Sequence, residues 1–137
     1  MKWRKVPVIP IKRRARHHNG ITYTDSKTRD ELRMVADSWD GEFYEDEPLV
    51  LVVLVYKQLP KTTPKKVCRL PFIQKPDGDN VLKAVMDGLN GVAFRDDSQI
   101  VKHIVQKVDR TRDINGGYIE YLLCKSSEVS IWVQVNG

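Results

Sequence analysis

Asp77 and Asp79 stand two residues apart around Gly78, Lys83 follows one helical turn later, and a second acidic pair, Asp96-Asp97, comes after the next turn signal. Carboxylates in this pattern suit a hard divalent cation beside a phosphate. Magnesium takes oxygen ligands and keeps several waters that a phosphate can displace. Three carboxylates converging without a cation would repel one another and raise each other's pKa. A lysine nearby can place positive charge on a pentacoordinate phosphorus or on a nucleic-acid backbone. Plainer roles exist for each group. Asp79 is placed to cap a helix at the positive end of its dipole. Lys83 can be an i,i+4 partner of Asp79 or Asp87, worth only ~0.2–0.5 kcal/mol. If Asp96-Asp97 opens an extended segment, its two side chains point to opposite faces and only one can join the first pair. Gly78 would let a metal or phosphate come close to the backbone.

The charge around these acids favours a polyanion. The chain carries a net +5, and no acid occurs before Asp25, while Lys2, Arg4, Lys5, Lys12, Arg13, Arg14 and Arg16 supply cations beside His17 and His18. A second acid-free stretch, residues 48–76, holds Lys57, Lys61, Lys65, Lys66, Arg69 and Lys75. An acidic segment with Asp40, Glu42, Glu45, Asp46 and Glu47 separates the two. Blocks of this kind attract polyanions and speed encounter at low salt. Lys12, Arg13, Arg14, Arg16 and Lys75 are the expected phosphate contacts, which give affinity without sequence information.

The elements that must position these groups fit one domain over residues 1–137, with a basic arm over about 1–24. Residues 6–11 are apolar but hold Pro7 and Pro10, as in an edge strand or an extended entry. Asn19-Gly20 is a turn signal for a hairpin or a mobile loop in the arm. Residues 25–38 show a cap at Asp25 or Ser26 and an apolar stripe of Leu32, Val35 and Ala36, which predicts a helix. Residues 49–56 are nearly all apolar and β-branched, as in a central strand buried on both faces. Residues 79–89 predict a second helix, with Val81, Leu82, Val85 and Leu89 on one face and Asp79, Lys83 and Asp87 on another. Extended segments are expected over 100–108, 118–124 and 129–135, the first two joined by Asn115-Gly116-Gly117. The fold class is α+β, a small mixed β-sheet packed with two main helices.

Residues Lys75-Pro76-Asp77-x-Asp79-Asn80-x-x-Lys83-Ala84, then Asp87-x-Leu89-Asn90-Gly91, then Asp96-Asp97-Ser98-Gln99-Ile100-Val101 together resemble the RusA family of Holliday-junction resolvases. Tyr23, the helix after it and the strand at Leu49 agree in order with that family. The resemblance implies a homodimeric, magnesium-dependent endodeoxyribonuclease, with Mn²⁺ a substitute, that makes paired symmetric nicks in branched DNA at four-way junctions. Family members are commonly carried by phages and prophages and serve recombination or repair. Carried over by position, Asp77, Asp79 and Asp97 bind the metal and Lys83 is the catalytic lysine. Asp96 is a frequent acidic neighbour and the weaker ligand candidate. Gly78 departs from the larger apolar residue of many relatives. A dimer also has a physical reason, since two symmetric cuts in a two-fold junction need two sites related by a similar axis.

Other features weigh less. Cys68 and Cys124 lack metal-like spacing and are expected as reduced thiols of a cytoplasmic protein. No apolar run is long enough to span a bilayer, and Met1-Lys2-Trp3-Arg4-Lys5 is followed by no apolar segment typical of a secretory signal. His103 reads as a sheet residue, Trp3, Trp39 and Trp132 as packing residues, and Phe94 as core rather than a junction wedge. Two other classes compete: a non-catalytic basic DNA-binding module, in which the aspartates only cap and turn, and a metal-dependent phosphohydrolase of small substrates, which has no use for a basic arm.

Overall fold

The computed structural model describes residues 2–128. The expected strand over 129–135, with Trp132, lies outside the described residues. In chain order the elements are β1 (Arg4–Val6), β2 (Arg16–His18), β3 (Ile21–Tyr23), α1 (Ser26–Ser38), β4 (Leu49–Lys57), β5 (Arg69–Leu70), α2 (Gly78–Leu89), a 3-10 turn (Asp97–Gln99), β6 (Ile100–Lys107), β7 (Arg110–Thr111) and β8 (Gly117–Lys125). The main sheet runs β1-β8-β4-β6, and β2-β3 and β5-β7 form two small ribbons. β4 is parallel to β6 and antiparallel to β8, so the sheet is mixed and the fold is α+β.

Each element follows from local chemistry. α1 starts where the Asp25 carboxylate accepts from the Thr28 amide at 2.8 Å, which satisfies one of the free donors of the first turn. β1 is an edge strand, but it ends at Val6 because Pro7 has no amide to continue the ladder. Asn19 and Gly20 take positive φ (50° and 77°) and close the β2-β3 hairpin.

The core lies between the helices and one face of the sheet. Register pairs Val55 with Ile119, Val53 with Tyr121 and Leu51 with Leu123, and all six are buried. Val81, Leu82, Val85 and Leu89 of α2 pack on them together with Val35 of α1 and Phe94. The helices cross closely at Gly88, where a Cβ would stand 2.6 Å from the Cβ of Val35. Covering both faces of β4 was expected; instead Leu49, Leu51, Val53 and Val55 are buried while Val52, Leu54 and Tyr56 stay half-buried. An antiparallel neighbour, β8, turns this region into a sheet with one fully covered face. Phe94 is fully buried, in keeping with core, and Trp39 packs beside Tyr44.

Candidate active site

Asp77 reaches its place through a loop tied down from three sides. Phe72 is buried beneath Lys107 and Arg110, whose charges sit 4.5 and 5.8 Å from its ring centre. Lys107 donates to the Gln74 carbonyl (2.6 Å) and Arg110 to the Gln74 side-chain oxygen (3.0 Å). The same Arg110 donates twice to the Gln58 carbonyl at the end of β4 (3.0 and 2.7 Å). The Lys75-Pro76 bond that follows is cis. Gln74, Lys107 and Arg110 were not singled out from the sequence, because their pairing joins segments more than 30 residues apart.

Helical dihedrals begin at Gly78, so Asp77 rather than Asp79 holds the cap position of α2. Its backbone carbonyl already accepts from the amides of Asn80 and Val81, and its carboxylate makes no cap bond. Asp79 falls in the first turn, where the positive end of the helix dipole favours its charge. Asp79, Lys83 and Asp87 all lie on the exposed side of α2. Asp87 is engaged by Lys12 at 2.8 Å. Among the described residues, the side chains of Asp77, Asp79 and Lys83 have no hydrogen-bond or ion-pair partner, so Lys83 is not spent on the simple i,i+4 role. An open cleft of about 420 Å³ is lined by Asp77 together with Ile9, Ile11, Lys57, Lys75, Pro76 and Asn80. Two of its lysines thus flank one of the carboxylates.

Asp96 and Asp97 open a 3-10 turn rather than an extended segment. Gln99 builds that turn. Its side-chain oxygen accepts from the amides of Arg95 (2.9 Å) and Asp96 (3.0 Å), and its amide group donates to the carbonyls of Tyr44 and Glu47. Ser98 donates its hydroxyl to the Asp96 carboxylate, while Asp97 has no side-chain partner among the described residues. Asp97, not Asp96, is therefore the uncommitted acid of the pair. Gln99 was read only as part of the family resemblance, and the structure gives it a positioning role.

The structure does not bring Asp97 to Asp77 and Asp79 within one chain. α2 has 12 residues, so its ends lie ~18 Å apart at 1.5 Å per residue. Asp77 and Asp79 occupy its start, and Asp97 follows shortly after its end. β6 then runs back along the helix, so that a Cβ on Gly78 would touch Val105 at 3.3 Å, near the far end of that strand. Among the described residues no three His, Cys, Asp or Glu side chains of one chain are grouped to hold a metal. The donor chemistry still fits: magnesium is commonly held by one or two carboxylates together with substrate phosphates, and Asp77 and Asp79 are an exposed, unengaged pair.

The basic arm is less free than its sequence suggests. Arg13 makes a two-pronged pair with Glu31 of α1 (2.7 and 3.2 Å), which raises the guanidinium pKa further, and Glu31 also accepts from the Ile11 amide (3.1 Å). Lys12 is bound to α2 through Asp87 and through its own amide, which donates to the Asn80 carbonyl at 2.9 Å. These contacts dock the arm across both helices. Arg14 and Lys75 are exposed without acidic partners among the described residues, and Arg16 stands 3.7 Å from Asp25.

Comparison with known proteins adds the class. A family model described as endodeoxyribonuclease RusA matches residues 6–117 of the 137-residue chain, which sets the protein among DNA-cutting nucleases. The chain belongs to the RusA family, whose nucleases resolve Holliday junctions. No curated protein matches the chain significantly. No helix among the described residues is long and apolar enough to cross a membrane, and both cysteines are free, Cys68 exposed and Cys124 buried.

Proposed function

We propose that this protein is a magnesium-dependent, homodimeric endonuclease that nicks four-way DNA junctions in symmetric pairs, and that each active site takes Asp77 and Asp79 from one copy and Asp97 from the other. The observation that carries this reading is the set of three uncommitted carboxylates at opposite ends of α2. β6 lies between them as an edge strand with Val101 at 62% and Ile104 at 45% exposure. Among the described residues no strand pairs with the outer edge of this eight-residue strand, and a free edge is a template for another strand. Antiparallel pairing of β6 with its own copy about a two-fold axis would set the Val105 end of one strand beside the Ile100 end of the other. The Asp77-Asp79 end of one protomer would then face Asp97 of its partner.

In such a site Asp77, Asp79 and Asp97 would hold the cation, which when bound polarises the phosphodiester and lowers the pKa of a water. Lys83, with no acid to neutralise it, directs its ammonium hydrogen bonds to a non-bridging phosphate oxygen as negative charge builds there. Lys57 and Lys75 seat the backbone in the cleft, and Arg14 and Arg16 contact further phosphates of the junction. Gln99 fixes the turn that presents Asp97. A purely DNA-binding role would leave these acids, set against a basic surface, without a purpose.

Mixing two inactive variants tests the composite site. Asp77→Asn/Asp79→Asn and Asp97→Asn chains each lose cutting. A heterodimer of the two has one site with every carboxylate intact, so co-refolded mixtures recover single nicks in junction DNA. Absence of recovery in mixtures shown to exchange subunits would contradict a site shared between two chains.

A further inference from the structure

Among the described residues, no side chain of the β2-β3 ribbon belongs to the hydrophobic core. All six of its strand residues are exposed. An isolated two-stranded ribbon is at best marginally stable in water, so nothing in stability explains apolar residues here. Yet the register pairs Arg16 with Tyr23 and His18 with Ile21, and directly opposed residues share a face. One face therefore presents a guanidinium, a phenol ring, an imidazole and a branched alkyl group together. Ile21 is 67% exposed beside the tip and Tyr23 45% exposed near the root. The opposite face is closed on itself by the Thr22 hydroxyl and His17 Nδ1, 2.9 Å apart.

The same face runs into a hollow of about 530 Å³ at the base of the ribbon, lined by Arg13, Arg16, Tyr23, Asp25, Lys27 and Arg29 among others. Arg13 is taken by Glu31, and Asp25 caps α1 while standing 3.7 Å from the exposed Arg16, whereas Lys27 and Arg29 have no acidic partner among the described residues. Positive charge dominates the hollow, whose lining holds Arg13, Arg16, Lys27 and Arg29 against the single carboxylate of Asp25.

We infer that this face is a binding surface for unstacked bases at a DNA branch point. Tyr23 and Ile21 take the exposed base faces, while Arg16, Lys27 and Arg29 take the adjoining phosphates. The inference rests on the DNA-binding part of the reading above, not on the cutting. Stacking on an aromatic side chain needs a base freed from its neighbours and tolerates any sequence. A fully paired arm offers no such base face, so the ribbon supplies preference for open structure rather than for sequence.

The test is equilibrium binding in EDTA, where no cutting occurs, to three labelled DNAs: a four-way junction, a duplex carrying unpaired bases, and a fully paired duplex. The parent protein prefers the first two over the third. Ile21→Ala/Tyr23→Ala leaves the melting temperature unchanged, because both residues are exposed, and leaves affinity for paired duplex within about threefold. Its affinity for the two open DNAs falls about ten- to hundredfold, the loss expected for stacked bases. Arg16→Ala weakens all three DNAs and lowers the salt dependence by about one charge. An unchanged preference in the double variant overturns the inference, as does a parent that binds all three DNAs equally, although either result leaves the nuclease reading intact. Failure to bind any DNA would overturn both.

Discussion

Replacing Arg13 by alanine separates a structural cation from a DNA-binding one. Arg13 and Glu31 form a two-pronged pair with side-chain exposures of 24% and 10%, and Arg13 also donates to Thr28. The substitution leaves the nearly buried Glu31 carboxylate with the Ile11 amide as its remaining partner. Breaking a fully buried pair from one side costs ~3–5 kcal/mol. The partial exposure of Arg13 lets water replace some of that loss, which brings the expected cost to about 2 kcal/mol. For a domain of this size that corresponds to a fall in melting temperature of ~6 °C. Arg14→Ala is the control: an exposed residue without a partner, its loss shifts stability by less than ~0.5 kcal/mol. Thermal unfolding and DNA binding at low temperature are measured on both. Arg13→Ala lowers the melting temperature and spares most of the affinity, and Arg14→Ala does the reverse. A melting temperature for Arg13→Ala within ~1 °C of the parent, with the affinity loss of a phosphate contact, would refute the docking role.

Three further outcomes follow from the packing. Gly88→Ala gains helix propensity but forces a Cβ to 2.6 Å from the Cβ of Val35, which cannot rotate away; chemical denaturation should show a net loss of about 2 kcal/mol. Gln99→Ala removes four hydrogen bonds that shape the Asp97 turn, so cutting falls while DNA affinity holds, with about 2 kcal/mol lost in the same assay. Hydrogen bonds from Lys2 and Arg4 push the Asp40 carboxyl down from 3.8 to about 2. A depressed folded pKa stabilises above the unfolded value and ceases to do so as pH falls through the folded one. Acid titrations of the parent and Asp40→Asn should therefore differ above 3.8 and converge near 2.

What could be read from the sequence was what local chemistry determines. The cap at Asp25, the apolar stripe of α1, the β-branched run of β4 and the Asn19-Gly20 turn each carry their structure within a few residues. The apolar face of α2 followed from periodicity in the same way. Long-range pairing was not legible. Nothing near Arg13 announces Glu31, 18 residues on, so the sequence groups Arg13 with Lys12, Arg14 and Arg16 as an expected phosphate contact. The half-buried face of β4 depends on an antiparallel neighbour more than 60 residues later. The cap shifted from Asp79 to Asp77 because helical dihedrals begin at Gly78, which periodicity resolves poorly. Most consequential is the spacing of the acids. The sequence puts Asp97 close after the helix, and only the length and direction of α2 reveal that this is the wrong end for one chain to gather all three carboxylates.

The central claim is metal-dependent cutting at a branch, and one experiment meets it directly. The purified protein is incubated with an end-labelled synthetic four-way junction and with linear duplex of the same sequence, each with and without magnesium. Paired nicks in opposing strands of the junction, present only with magnesium and absent from the duplex, are the predicted result. Tight binding to the junction with no nicks under magnesium or manganese would contradict the account.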